Sequence, residues 1–182
     1  MHSPSKLKYI INNHFNFEVI ELANSKLFMS RTFFGAGNPA NQAFINMTLE
    51  HTLLHSRVLY EFYFKLKKVE EYNDSSYPRA NMYIPKFEKP SFTDNIKDEN
   101  EEQHELGFWK KVNNQILHLG INRTGNSIEK FNALQAIGIT NDILNITKDF
   151  LNQLEQIENR FYFESNLDFI KDNIDEFISR KI

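Results

Sequence analysis

Apolar residues recur every three to four positions along most of this chain, the period of an α-helix whose one face is buried. The longest such run is Asn41 to Lys68, NQAFINMTLEHTLLHSRVLYEFYFKLKK. On a helical wheel Phe44, Met47, His51, His55, Val58, Phe62 and Leu66 share a stripe roughly 100° wide, with both histidines near its middle. Glu50, Leu54, Arg57 and Glu61 form a second stripe, and Arg57 and Glu61, four apart, are placed to pair. Upstream, residues 17–30 predict a helix with Val19, Ile20, Ala23, Leu27 and Phe28 on one side. Residues 1–16 read as polar and irregular apart from a short helix around Leu7 to Ile11. The segment Phe34-Gly-Ala-Gly-Asn-Pro39 stops the first helix, because two glycines and a proline are strong breakers. It matches neither GxGxxG nor a P-loop and reads as a turn.

Between residues 72 and 104 the pattern dissolves. Pro78, Pro85 and Pro90 interrupt it, and an acidic run, Asp98 to Glu102, closes it. A connection this long is uncommon in a compact domain, and Tyr77, Tyr83, Ile84, Phe87 and Phe92 predict that part of it packs on this chain or on a second subunit. Helix returns from Leu106 to about Ile121, with Phe108, Val112, Ile116 and Leu119 on one face and Lys111, Asn114, Gln115, His118 and Asn122 on the other. A long helix then starts near Ser127, its N-terminal turn carrying Glu129. It keeps Ala136, Ile139, Ile143, Ile146, Phe150, Leu154 and Ile157 on one side, with Gly138 as a place to bend. Ser165 to Arg180 is the last amphipathic segment, built on Leu167, Ile170, Ile174, Phe177 and Ile178. No segment alternates with period two. The expectation is one all-α domain over 1–182, an up-and-down helical bundle of about four to five helices with a long irregular loop at 72–104.

Composition narrows the chemistry. A formal charge of −3 over 182 residues gives no global case for nucleic acid or an anionic membrane. The absence of cysteine removes disulfides, thiolate nucleophiles and cysteine-based zinc sites. The N-terminus lacks the apolar core of a signal peptide, and no apolar run approaches the roughly 20 residues of a membrane span, so a cytoplasmic, non-membrane protein is expected. Seventeen phenylalanines and seven tyrosines promise an aromatic core.

Two constellations carry candidate chemistry. His51 and His55, four apart on one helix, point their rings the same way and can share a metal ion. His118 from another helix would make a three-histidine site. Such a site is similar to that of the DinB-like four-helix bundles, which hold a divalent metal with three histidines, and this resemblance implies a metal-dependent enzyme. The alternative for the pair is a neutral couple satisfied by core hydrogen bonds.

The second constellation is VNNQILH, residues 112–118. It resembles the Arg-polar-x3-His motif of the HEPN superfamily, with Asn113 in place of the arginine, Asn114 at the polar position and His118 as the histidine. Together with LEHTLLHSRVLYEFY and the later long helix, it is similar to a group of bacterial helical proteins. The resemblance implies a HEPN-like bundle, a homodimer with the motif at its seam, and binding or cleavage of RNA. It needs no cofactor. Asparagine cannot supply the fixed donor fork with which arginine stabilises phosphodiester cleavage. Lys111 on the same face, with Arg123 and Arg57, are the substitutes. A non-catalytic interaction protein is the third reading. Glu101-Glu-Gln-His104 holds one E-x-x-H, but a di-iron bundle needs two. Ser56 follows His55 directly, and neighbours on a helix diverge by about 100°, so they form no Ser–His pair.

Overall fold

A computed structural model describes residues 2–33, 39–66, 77–96, 108, 111–112, 131–158 and 160–180. These residues form an all-α helical bundle, and no strand occurs among them. Helix α1 spans Pro4–Ile10, passes through a π-helical turn at Ile11–Phe15, and continues as α2, Asn16–Phe33. Helix α3 spans Pro39–Phe64, α4 Ala133–Glu158 and α5 Ser165–Ser179. No described helix is long and apolar enough to cross a membrane.

The N-terminal segment departs from its irregular reading. Ser3 caps α1, its Oγ accepting from the Lys6 amide, and Pro4 supplies a preset first turn. Leu7, Ile11, Phe15, Val19 and Leu22 are all buried. Their spacing of four, four, four and three is one continuous helical face, obscured in the sequence by the intervening Asn12, Asn13 and His14. Asn12 is buried within the π-helical turn and donates to the Lys8 carbonyl and, at 2.7 Å, to that of Tyr162. This ties the first rod to the turn before α5.

Helices α2 and α3 run antiparallel: Glu18 meets His55 while Glu21 and Ser25 meet His51. Helix α3 is rotated from its wheel reading. Phe44, Met47 and Val58 are exposed, whereas Ile45, Leu49, Leu53, Leu59, Tyr60 and Tyr63 are buried. The sequence stripe is therefore one edge of the buried face, and the histidines stand at the α2 border. Hydroxyls let the polar members of the face go inside. Thr48 and Thr52 donate to carbonyls one turn back, and Tyr63 donates to Thr147 of α4 at 2.9 Å. The Arg57–Glu61 pair forms at 3.3 Å as the spacing implied.

Phe150 of α4 centres the core. Phe15, Phe62, Tyr63, Tyr83 and Phe87 surround it with ring centroids between 5.3 and 6.3 Å, the range in which aromatic pairs gain beyond area burial. Two of these rings come from 77–96, which wraps the bundle through a single turn at Ala80–Met82. Helix α4 runs on through Gly138. This glycine makes room for Asn95, whose amide oxygen would lie 2.7 Å from a Cβ there. Asn95 and Thr93 both donate to Asp142, at 2.9 and 2.6 Å, locking the wrap to α4. On α5, Leu167, Ile170, Ile174 and Phe177 are buried, as their periodicity predicts.

Candidate metal centre

The antiparallel α2–α3 seam places an i, i+3 carboxylate pair opposite an i, i+4 histidine pair. His55 is 6% exposed, and its Nδ1 lies 2.6 Å from Glu18 Oε2. A carboxylate oxygen only accepts, so this contact assigns the Nδ1–H tautomer to a neutral His55 and turns its Nε2 lone pair outward. That lone pair faces His51 Nε2 at 3.1 Å, and Glu21 Oε2 lies 3.5 Å from the same His51 atom. Glu21, His51 and His55 thus each offer a ligand atom, and these atoms all lie within 4.8 Å of one another.

The 3.1 and 3.5 Å separations about His51 Nε2 match ligands of a shared ion. Two ligands each about 2.0–2.1 Å from one metal stand roughly 3.0–3.5 Å apart at octahedral or tetrahedral angles. Outer hydrogen bonds then fix both rings, the usual support of metal-bound imidazoles. Glu18 holds His55, and Ser25 Oγ lies 2.7 Å from His51 Nδ1.

Ser25 has one proton and two acceptors. Its Oγ is also 2.7 Å from the Glu21 carbonyl one turn back. With the proton on the carbonyl, Ser25 accepts from His51 Nδ1–H, and both Nε2 lone pairs converge with the Glu21 carboxylate. That state calls for a cation. With the proton on His51 Nδ1, His51 donates from Nε2 to His55, and the network closes without one. Burial, then the neighbouring His55, hold the His51 pKa below the ordinary imidazole value, against the raising influence of Glu21 and Glu18. Neutral imidazole is the metal-binding form.

The cluster is open on one side. The His51 and Glu21 side chains are 44% and 30% exposed, so three protein ligands would leave coordination positions facing solvent. A closed four-ligand site is structural, whereas three ligands with an open position is the arrangement of catalytic metal sites. Two histidines and one carboxylate suit zinc or a non-haem iron.

His51 and His55 lie one turn apart on α3 with their Nε2 atoms facing, at the α2 border rather than in the middle of an apolar stripe. Asn114, His118 and Arg123 lie outside the described residues, as do Asn113, Glu101 and His104. Of the RNA-directed group Lys111 is described: it is partly buried, with Nζ 4.6 Å from the centroid of the Phe131 ring. Arg57 is engaged with Glu61. Sequence reasoning missed Glu18, Glu21 and Ser25. Their spacing, 18-21-25, is a polar stripe beside the apolar face of α2, and that was the available signal.

Compared with protein-family models, curated proteins and solved structures, the chain finds no match.

Proposed function

We propose that this chain is a divalent-metal-dependent protein whose ion is held by Glu21, His51 and His55 and carries solvent on its open side. The observation that supports the reading is the convergence of two Nε2 atoms and a carboxylate oxygen at 3.1 and 3.5 Å, with both Nδ1 atoms already engaged by Glu18 and Ser25. An ion with three such ligands lowers the pKa of a bound water toward neutrality, so activation of water for attack on an electrophile is the chemistry the arrangement favours. Ser25 supplies the proton adjustment that lets the same residues exist with and without the ion. His118 is not part of this set; the three-histidine form expected from sequence would use it as third ligand in place of Glu21.

The HEPN-like reading, with its homodimer and RNA partner, rests on Asn113, Asn114 and His118 and stands on the resemblance alone. The experiment that separates the readings is metal analysis of untagged protein purified without chelator. The proposal expects about one equivalent of a transition metal, lost below about 0.1 equivalent in His51→Ala and His55→Ala. His118→Ala retaining the ion fits the Glu21 set, and its loss moves the third ligand to His118. A wild-type protein that neither carries metal nor takes up added zinc overturns the proposal.

A further inference from the structure

A cavity of about 420 Å³ opens between the N-terminal rod, α3 and residues 77–79, within the size range of small-ligand sites. Its walls divide by chemistry. Phe15, Leu59 and Phe62 give it an apolar floor. Lys6 and Arg79 bring two fixed cations, and His2 and His14 two imidazoles. His2 is buried, at 6% exposure, so part of this basic wall is built into the protein rather than waving in solvent. Glu18 is the acid among the described lining residues, and its carboxylate already accepts from His55 at 2.6 Å.

The Arg79 guanidinium is held in place. It lies 3.3 Å from Glu61, whose other oxygen lies 3.3 Å from Arg57. Two guanidiniums thus reach one carboxylate beside the cavity, which fixes the Arg79 side chain. A fixed guanidinium with further donors near it recognises a carboxylate or phosphate head. An apolar floor recognises the body attached to that head.

We propose that this cavity is a binding site for a small amphipathic organic anion, a carboxylate with an aromatic or acyl body. The anionic head sits against Lys6 and Arg79, and the body rests on Phe15 and Phe62. The site is separate from the metal ligands. Glu18 lines the cavity and reaches His55 Nδ1, whereas the metal-facing atom of His55 is Nε2 on the opposite side of the ring. The inference therefore stands or falls independently of the metal centre.

The test is calorimetric titration of chelator-treated full-length protein with 4-phenylbutyrate and with its uncharged amide. The carboxylate is expected to bind at least about tenfold more tightly than the amide, the size of one charge-assisted contact. Lys6→Gln, at an exposed position, and Arg79→Gln are each expected to weaken the carboxylate by about fivefold or more and the amide by little. Decanoate in place of 4-phenylbutyrate identifies the preferred body, and tight binding of either acid supports the site. His51→Ala, which removes a metal ligand, is expected to bind the acid as wild type does, so failure of the metal proposal leaves this result intact. Equal binding of acid and amide, binding by neither acid, or an acid affinity unmoved by Lys6→Gln overturns the proposal.

Discussion

Helix α2 carries polar side chains into the bundle at two places, and the two differ in what meets them. Lys26 is 1% exposed. Its ammonium donates to the carbonyls of Phe177 and Ile178, at 3.1 and 2.7 Å, at the C-terminal end of α5. A cation there satisfies orphan carbonyls and meets the negative end of the helix dipole. Donor faces acceptor, so nothing further is called for. Burial, and after it the nearby Arg180, lower the Lys26 pKa, yet the contacts are of one kind: structural. One turn earlier, at Glu21, Ser25 and the facing histidines, the outcome depends on the Ser25 proton: directed at the Glu21 carbonyl, it leaves two Nε2 lone pairs and a carboxylate facing one another. Burial of a polar group is therefore a poor marker of a site, and convergence of lone pairs is a good one.

The largest effect separates the two places outright. His55→Ala should lower zinc affinity by more than about 100-fold, above the range typical of losing an outer hydrogen-bond partner. It leaves the fold intact, which calorimetric zinc titration with circular dichroism checks together. Lys26→Met should do the reverse. It keeps the apolar stem but removes the donor from one buried and one part-buried carbonyl, at a cost of about 3 kcal/mol in urea unfolding, with zinc affinity unchanged. If Lys26→Met also abolished zinc binding in the folded protein, the distinction between the two places would collapse.

Next in size is Glu18→Gln, which replaces the acceptor that orients His55. A loss of about 10–100-fold in zinc affinity is expected, and an unchanged affinity would remove Glu18 from the account. Acid should have a comparable effect. The folded His51 pKa lies below the usual 6.5, so His51 stays neutral somewhat further into acid than a free imidazole. Zinc affinity is accordingly expected to be full at pH 7.5 and to fall by about tenfold or more by pH 5.5 as protons displace the ion. In metal-free protein the unfolded chain takes up its proton first. The stability linked to His51 is then fully present above about pH 6.5 and is lost as pH falls through the lowered folded value. Affinity that rose on acidification would contradict the ligand assignment. Smallest is Gly138→Ala, where the new Cβ would press on Asn95. About 1 kcal/mol of stability should go as the Asn95–Asp142 contact shifts, without change in zinc binding.

How much of this the sequence showed depends on whether the signal was local. The all-α class, the last helix and the His51–His55 pair follow from spacing along one helix, and the Arg57–Glu61 pair from the same rule. The partners of the histidines do not, because which face of α2 meets α3 is set by tertiary packing. The wheel put Val19, Ile20, Ala23, Leu27 and Phe28 inward, whereas the structure buries Val19, Leu22, Ala23, Ser25, Lys26 and Met29 and leaves Phe28 half exposed. Lys26 belongs to that buried face, although a lysine argues for solvent until two helix-end carbonyls are found waiting for it. In the same way the contact of Gly138 with Asn95 was hidden, because Asn95 lies more than forty residues earlier in the chain.

The most direct measurement is an anomalous difference map, collected at the zinc edge, from a crystal of the untagged protein grown with zinc. A single strong peak about 2.0–2.2 Å from His51 Nε2, His55 Nε2 and a Glu21 oxygen is the result expected. A map with no peak between those three atoms, or with zinc bound only at surface carboxylates, would contradict the metal centre and return His51 and His55 to the role of a hydrogen-bonded core pair.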